Sequence, residues 1–263
     1  MDDNIIVNIE ENIATLTLNR PEKRNAFNLE MVDQWRETFK DCVKKKNVHV
    51  IVITGNGKAF CSGGDIAELM GARIDMGPEA RKKELSEHVH ELIKAFQMND
   101  KPVIAAMNGV ATGAGLDLAL YADLRYAAES AKFAETYVKV GLIPGAGGAW
   151  LLPRIVGEAK AYELLWTSEF INADEAHRLG IVNNVFPDQD LMPHVMRIAK
   201  QISQGPQSAN RAIKRAIIHG RNSDLFASLD HISSTYGLIA TGADHKEAVS
   251  AFLEKRPPKF VKT

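Results

Sequence analysis

Cysteine is scarce: Cys42 and Cys61 are the only two in 263 residues. A pair this sparse gives no disulfide framework and points to a reducing compartment. Charge of one sign is missing as well, since 32 basic side chains face 33 acidic ones for a formal net charge of −1. That balance leaves no global field to draw in nucleic acid or hold the chain on an anionic membrane. No apolar run approaches the roughly 18 residues that cross a bilayer. The eight histidines are scattered without metal-ligand spacing, so no metal centre is expected. Met1-Asp2-Asp3-Asn4 carries neither the cationic flank and apolar block of a secretion signal nor the arginines of a transit peptide. A cytoplasmic protein is expected, and an organellar one already trimmed would read the same way.

What is present is periodicity. Ile5–Ile9 and Ile13–Leu18 alternate around Glu10-Glu11-Asn12, which predicts a hairpin. Asn28 stands where a helix N-cap belongs, ahead of Met31, Trp35, Phe39 and Cys42 at helical spacing. Val48–Thr54 is nearly all β-branched, the mark of a strand covered on both faces. A second amphipathic helix carries Leu85, Val89, Leu92, Ile93 and Phe96. Pro102–Met107 is another buried strand, and Leu116–Tyr121 a helix before a strand at Asp123–Ala127. Beyond Pro153 the pattern turns helical, over Ala159–Thr167, Ala173–Leu179, Leu191–Ser203, Gln207–His219, Leu225–Thr241 and His245–Lys255. The class is α/β, with a core over 1–190 and a helical region over 191–263 suited to assembly, joined without a low-complexity linker.

Two stretches repeat one plan of strand, glycine loop and helix: Phe60-Cys61-Ser62-Gly63-Gly64-Asp65-Ile66, and Asn108-Gly109-Val110-Ala111-Thr112-Gly113-Ala114-Gly115. Glycine ahead of a helix lets backbone approach a ligand and exposes unpaired N–H groups. One such loop reads equally well as a tight turn. A dinucleotide fingerprint is excluded, because Leu118 stands where its third glycine belongs, and no Gly-Lys-Ser/Thr follows either stretch. Two loops aiming N–H groups at one oxygen would form an oxyanion hole.

At this point the sequence resembles the enoyl-CoA hydratase/isomerase (crotonase) family along essentially its whole length. The matching segments are Asn19-Arg20-Pro21 with Arg24-Asn25-Ala26, the two glycine loops, Lys101–Ala106, Gly141–Gly148, Leu152-Pro153-Arg154 and Ala251–Arg256. The resemblance implies a crotonase-like spiral of repeated β-β-α units, and trimers that pair into hexamers. It implies an acyl-CoA thioester as substrate, coenzyme A arriving as part of that substrate with no separate cofactor. The oxyanion amides would be those of Gly64 and Ala114. The coenzyme would lie near Lys23, Arg24 and the loop Ala59, Ser62, Gly63, Asp65 and Ile66. Phe252 and Lys255 would add contacts from a neighbouring subunit. A solvated surface explains the basic residues as well, and for Lys23 the contest is even.

The carboxylates depart from the family pattern. Typical hydratases hold water between two glutamates. The first position is Asp117, one methylene shorter and so about 1.5 Å less in reach. The second is Tyr137, whose ordinary pKa of about 10 suits it to donate a hydrogen bond or orient water. Glu135 reads as a surface glutamate, with entry into the pocket as the alternative. The position of the aspartate nucleophile of dehalogenating relatives is Gly145, which disfavours that chemistry. Gly145–Gly148 reads as a helix N-terminus near the thioester. The expected activity is hydration of a 2-enoyl-CoA to a 3-hydroxyacyl-CoA. Enoyl isomerisation, decarboxylation, thioester hydrolysis, or acyl-CoA binding without turnover are the alternatives.

Overall fold

The computed structural model describes residues 4–260, apart from the side chains of Met70 and Ala72. The reading of Met1–Asp3 lies outside the described residues. The chain opens with β1 (Ile5–Glu10) and β2 (Ile13–Leu18) paired antiparallel. Glu11 and Asn12 between them hold φ of 49° and 66°, the left-handed pair that a two-residue turn needs to match strand twist. The Asn28 side chain accepts from Met31 N at 2.9 Å to start α1 (Leu29–Lys44). The α1 residues Met31, Trp35, Phe39 and Cys42 are all buried.

Three turns of a spiral follow, each giving one strand to each of two sheets. β3 (Val50–Gly55) leads to β4 (Ala59–Cys61), then to α2 (Pro78–Glu84) and α3 (His90–Met98). β5 (Val103–Met107) leads to β6 (Val110–Thr112) and α4 (Ala114–Leu120). β7 (Leu124–Ala128) leads to β8 (Lys132–Ala134), α5 (Gly148–Val156) and α6 (Glu158–Thr167). After β9 (Ile171–Asn172), α7 (Ala173–Arg178) and β10 (Asn184–Phe186), the chain ends in α8 (Leu191–Ser203), α9 (Gln207–Gly220), α10 (Leu225–Ala240) and α11 (Ala243–Leu253). The larger sheet runs β1-β2-β3-β5-β7-β10, parallel from β2 onward, and the smaller runs β4-β6-β8-β9.

β3 and β5 have apolar side chains on both faces because helices and the second sheet cover them. α1 and α3 pack directly against each other, with Phe39 and Phe96 ring centroids 4.4 Å apart and Trp35 edge-on to Phe96 at 6.1 Å. The helix read from sequence around Leu85–Phe96 is broken by a wider π-turn at Leu85–Val89. α8 packs Leu191, Val195 and Ala199 into the central core. α10, by contrast, buries none of its residues in the isolated chain. No helix among the described residues is long and apolar enough to cross a membrane.

Candidate active site

The two glycine loops meet where β4 and β6 end. Thr112 Oγ1 donates to the Ser62 carbonyl at 3.0 Å. Behind it, a Cβ on Gly115 would collide with the Cys61 carbonyl, so only glycine lets the first turn of α4 press on the end of β4. Phe27 N donates to Gly63 O at 2.9 Å and Asp65 N to Phe27 O at 2.8 Å, around a parallel bridge of Phe27 with Gly64. In a parallel bridge the middle residue turns its own N–H to the other side. The Gly64 N–H therefore faces away from Phe27, and it has no partner among the described residues. The N–H of Ala114, first residue of α4, is equally unpartnered. Two unpaired donors thus sit on adjoining loops.

Asp117 lies one turn along α4 and is 0% exposed. Tyr137 donates its hydroxyl to Asp117 Oδ2 at 2.6 Å, and the Ala146 N–H reaches that hydroxyl at 3.4 Å. The N-terminus of α5 abuts the same carboxylate so closely that a Cβ on Gly148 would overlap Oδ1. Burial raises Asp117 from the usual carboxylate range to about 6, against the charge-stabilising pull of Tyr137, Glu135 and the Gly148 and Ala146 N–H groups. Burial and the neighbouring Asp117 charge lift Tyr137 well above its ordinary value, so it stays a neutral donor. Tyr121 is likewise pushed up to about 12 by burial and by Asp117.

Glu135 corrects its sequence reading as a surface residue: it is 1% exposed and lies against Asp117. Burial and the Asp117 charge hold its carboxyl well above the usual range. Charge alone misled there, since a glutamate directly after a three-residue strand gives no period that separates inside from outside. The Gly145–Gly148 stretch, read from sequence as a helix N-terminus near the thioester, leads into α5, whose first residue lies against Asp117.

The residues expected to hold coenzyme A divide in two. Lys23, Arg24, Ser62, Gly63, Asp65 and Ile66 form one cluster: Ser62 N donates to Arg24 O at 3.0 Å, Ser62 Oγ to Lys23 O at 3.3 Å, and Lys23 Nζ stands 3.8 Å from Asp65. Within it Lys23, Arg24 and Ile66 are exposed. Asp65 is buried and engaged, capping Ala67 N and Glu68 N and pairing with Arg20 at 3.4 Å. Its carboxyl stays below the usual range against the cost of burial, through the Glu68 N–H and the charges of Lys23 and Arg20. Ala59 is buried, with its carbonyl held by Asn25 Nδ2 at 2.8 Å. Asn25 also donates to Asn56 O and accepts from Arg20 N. That buried bracket fixes the loop, and sequence inspection had given it no role beyond a matching segment. Phe252 and Lys255 sit on and just after α11, which packs against α10. Phe252 is 83% exposed. Among the described residues no cluster of His, Cys, Asp and Glu could hold a metal.

A model of the enoyl-CoA hydratase/isomerase family matches residues 8–263. A crotonyl-CoA hydratase of Syntrophomonas wolfei subsp. wolfei is 40% identical over 261 residues, 98% of each chain. A 1,2-epoxyphenylacetyl-CoA isomerase of Escherichia coli K12 is 37% identical over 260 residues, 97% of each. The crystal structure of an enoyl-CoA hydratase from Bacillus anthracis superposes with a TM-score of 0.92 at 34% identity, covering 99% of this chain and all of the other.

Proposed function

Because this chain belongs to the enoyl-CoA hydratase/isomerase family, we propose that it adds water across the 2,3-double bond of a 2-enoyl-CoA, with Asp117 as the base. The observation that carries this is a buried carboxylate one helical turn from an unpaired N–H, on a loop adjoining a second such N–H. Asp117 takes a proton from water as the water oxygen bonds to C3. The C2=C3 electrons move toward the thioester oxygen, whose growing charge is met by the Gly64 and Ala114 N–H groups acting as an oxyanion hole. As the enolate collapses, the proton goes from Asp117 to C2, completing the addition with no co-reactant. Tyr137 keeps the carboxylate oriented throughout. Coenzyme A arrives with the substrate, its phosphates near Lys23 and Arg24, and no separate cofactor takes part.

One observation favours a second reading. Tyr137 holds Asp117 from the position where hydratases typically place a second carboxylate, and a single base suffices to move a proton from the α- to the γ-carbon. Incubation with 2-enoyl-, 3-enoyl- and other acyl-CoAs, with products identified by chromatographic retention and mass, separates the cases. Hydration gives a gain of one water on 2-enoyl-CoA. Interconversion of 2- and 3-enoyl-CoA without mass change replaces it with isomerisation, and silence on every thioester leaves only a binding protein.

Assembly is part of the proposal, as is work in the cytoplasm, where the two buried free cysteines stay reduced. α10 exposes Leu225 at 66% and Phe226 at 81%. Beside α9 a cavity of about 680 Å³ is lined by apolar residues such as Phe96, Leu151, Ile213 and Ile217 together with the charged Asp123, Arg125, Arg154 and Lys214. Apolar surface of this extent is covered by copies of the chain in a trimer or hexamer. Light scattering at micromolar concentration is expected to give three or six chains. A stable monomer would remove both the assembly and the supply of Lys255 from a neighbour.

A further inference from the structure

Past β8 the chain turns inward and places Glu135 against Asp117. Ser168 Oγ pins its carbonyl at 2.6 Å. If both side chains were ionised, three buried oxygens (Asp117 Oδ1 and both of Glu135) would be left without a hydrogen bond. No lysine, arginine or histidine pairs with either acid among the described residues. Two bare charges in contact and away from water are strongly disfavoured, so one carboxyl keeps its proton. The surroundings decide which. Asp117 has the Tyr137 hydroxyl at 2.6 Å and the first N–H groups of α5 to support a charge. Glu135 has no hydrogen-bonding neighbour for its side chain except Asp117 itself.

We propose that Glu135 is a positioning residue, a buried carboxylic acid that donates its O–H to Asp117 Oδ1 and thereby holds Asp117 ionised and aimed. The proposal rests on Asp117 being the base. Its geometry completes the carboxylate's shell: Tyr137 donates to one oxygen, Glu135 to the other, and α5 supplies its positive end. Burial and the Asp117 charge keep the Glu135 carboxyl far above the usual range, which is the behaviour of a donor at neutral pH. The other titratable groups facing the pair are Tyr137 and Tyr121, both raised and neutral. His90 lies one step out, its Nε2 bonded to Gly145 O at 3.0 Å.

The test compares Glu135→Gln, which keeps a donor, with Glu135→Leu, which removes it. The pH profile of kcat should keep its acid limb in Glu135→Gln. In Glu135→Leu the limb should move up by about one unit, so that turnover on the acid side drops about tenfold while the alkaline plateau survives. A limb unmoved in Glu135→Leu makes Glu135 a space-filling residue. Loss of the plateau in Glu135→Gln means that Glu135 gives up its proton during turnover, which also overturns the proposal. A readout without substrate separates these outcomes from failure of the hydratase assignment. The infrared band of a buried protonated carboxyl should be present in the resting protein at neutral pH and absent from Glu135→Gln. No such band in the unsubstituted protein refutes the proposal whatever the reaction proves to be.

Discussion

Asp117→Asn is expected to lower kcat by about 10²–10⁴-fold while affinity for an acyl-CoA stays within a small factor. The substitution keeps the size and planarity of the side chain and its acceptor for Tyr137, and it removes only the ability to take a proton. Calorimetric titration with a saturated acyl-CoA, run beside steady-state kinetics, checks both halves. Near-normal turnover on the true substrate would make Asp117 structural and move attention to Tyr137. In the unsubstituted enzyme the base form of Asp117 is lost as pH falls through about 6, so kcat should drop on the acid side and flatten above it.

Stability runs the other way. An unfolded aspartate titrates near 3.8 while the folded one titrates at about 6. Between those values the native state binds more protons than the unfolded state, so stability falls as pH rises through that window. At neutral pH the ionised Asp117 is therefore a cost to the fold. Asp117→Asn should melt at or above the temperature of the parent there, which separates lost chemistry from lost structure.

The long elements were legible because each carries a period. Met31, Trp35, Phe39 and Cys42 mark α1 by spacing alone, and the apolar runs of β3 and β5 require cover on both faces. β4, β6 and β8 span three residues each, too short for any period to register, so the second sheet came only from the family resemblance. The π-turn at Leu85–Val89 keeps the apolar stripe of an ordinary helix and leaves no trace in composition. In the site, Asp117 and Tyr137 were found by counting from fixed motifs. Glu135 was misplaced because local sequence does not encode which way a chain turns after a strand. Ser168, thirty-three residues away, ties down the Glu135 carbonyl, a contact that no local pattern announces.

Gly64→Pro is expected to cost about 10²–10³ in kcat/KM, the usual loss for one oxyanion donor. Proline differs from other substitutions in deleting the N–H itself. The fold gives little reason to object. The Gly64 N–H makes no intramolecular bond among the described residues, so no structural hydrogen bond is lost. Gly64 lies outside the positive-φ positions, and the preceding Gly63 has no side chain to clash with the ring. A Cβ at Gly64 would come within 3.1 Å of Leu69 Cδ1, the far end of a flexible side chain that can shift. Gly64→Ala makes the same contact and keeps the donor, so it supplies the control. Alanine should retain most of the turnover and proline should lose it, with similar melting temperatures for the two. The defect should be read in kcat/KM, because proline removes the donor and also puts its Cδ where the N–H faced the thioester oxygen. Equal activity in Gly64→Pro and Gly64→Ala would show that the growing charge is met elsewhere, and the pairing of Gly64 with Ala114 as an oxyanion hole would fall.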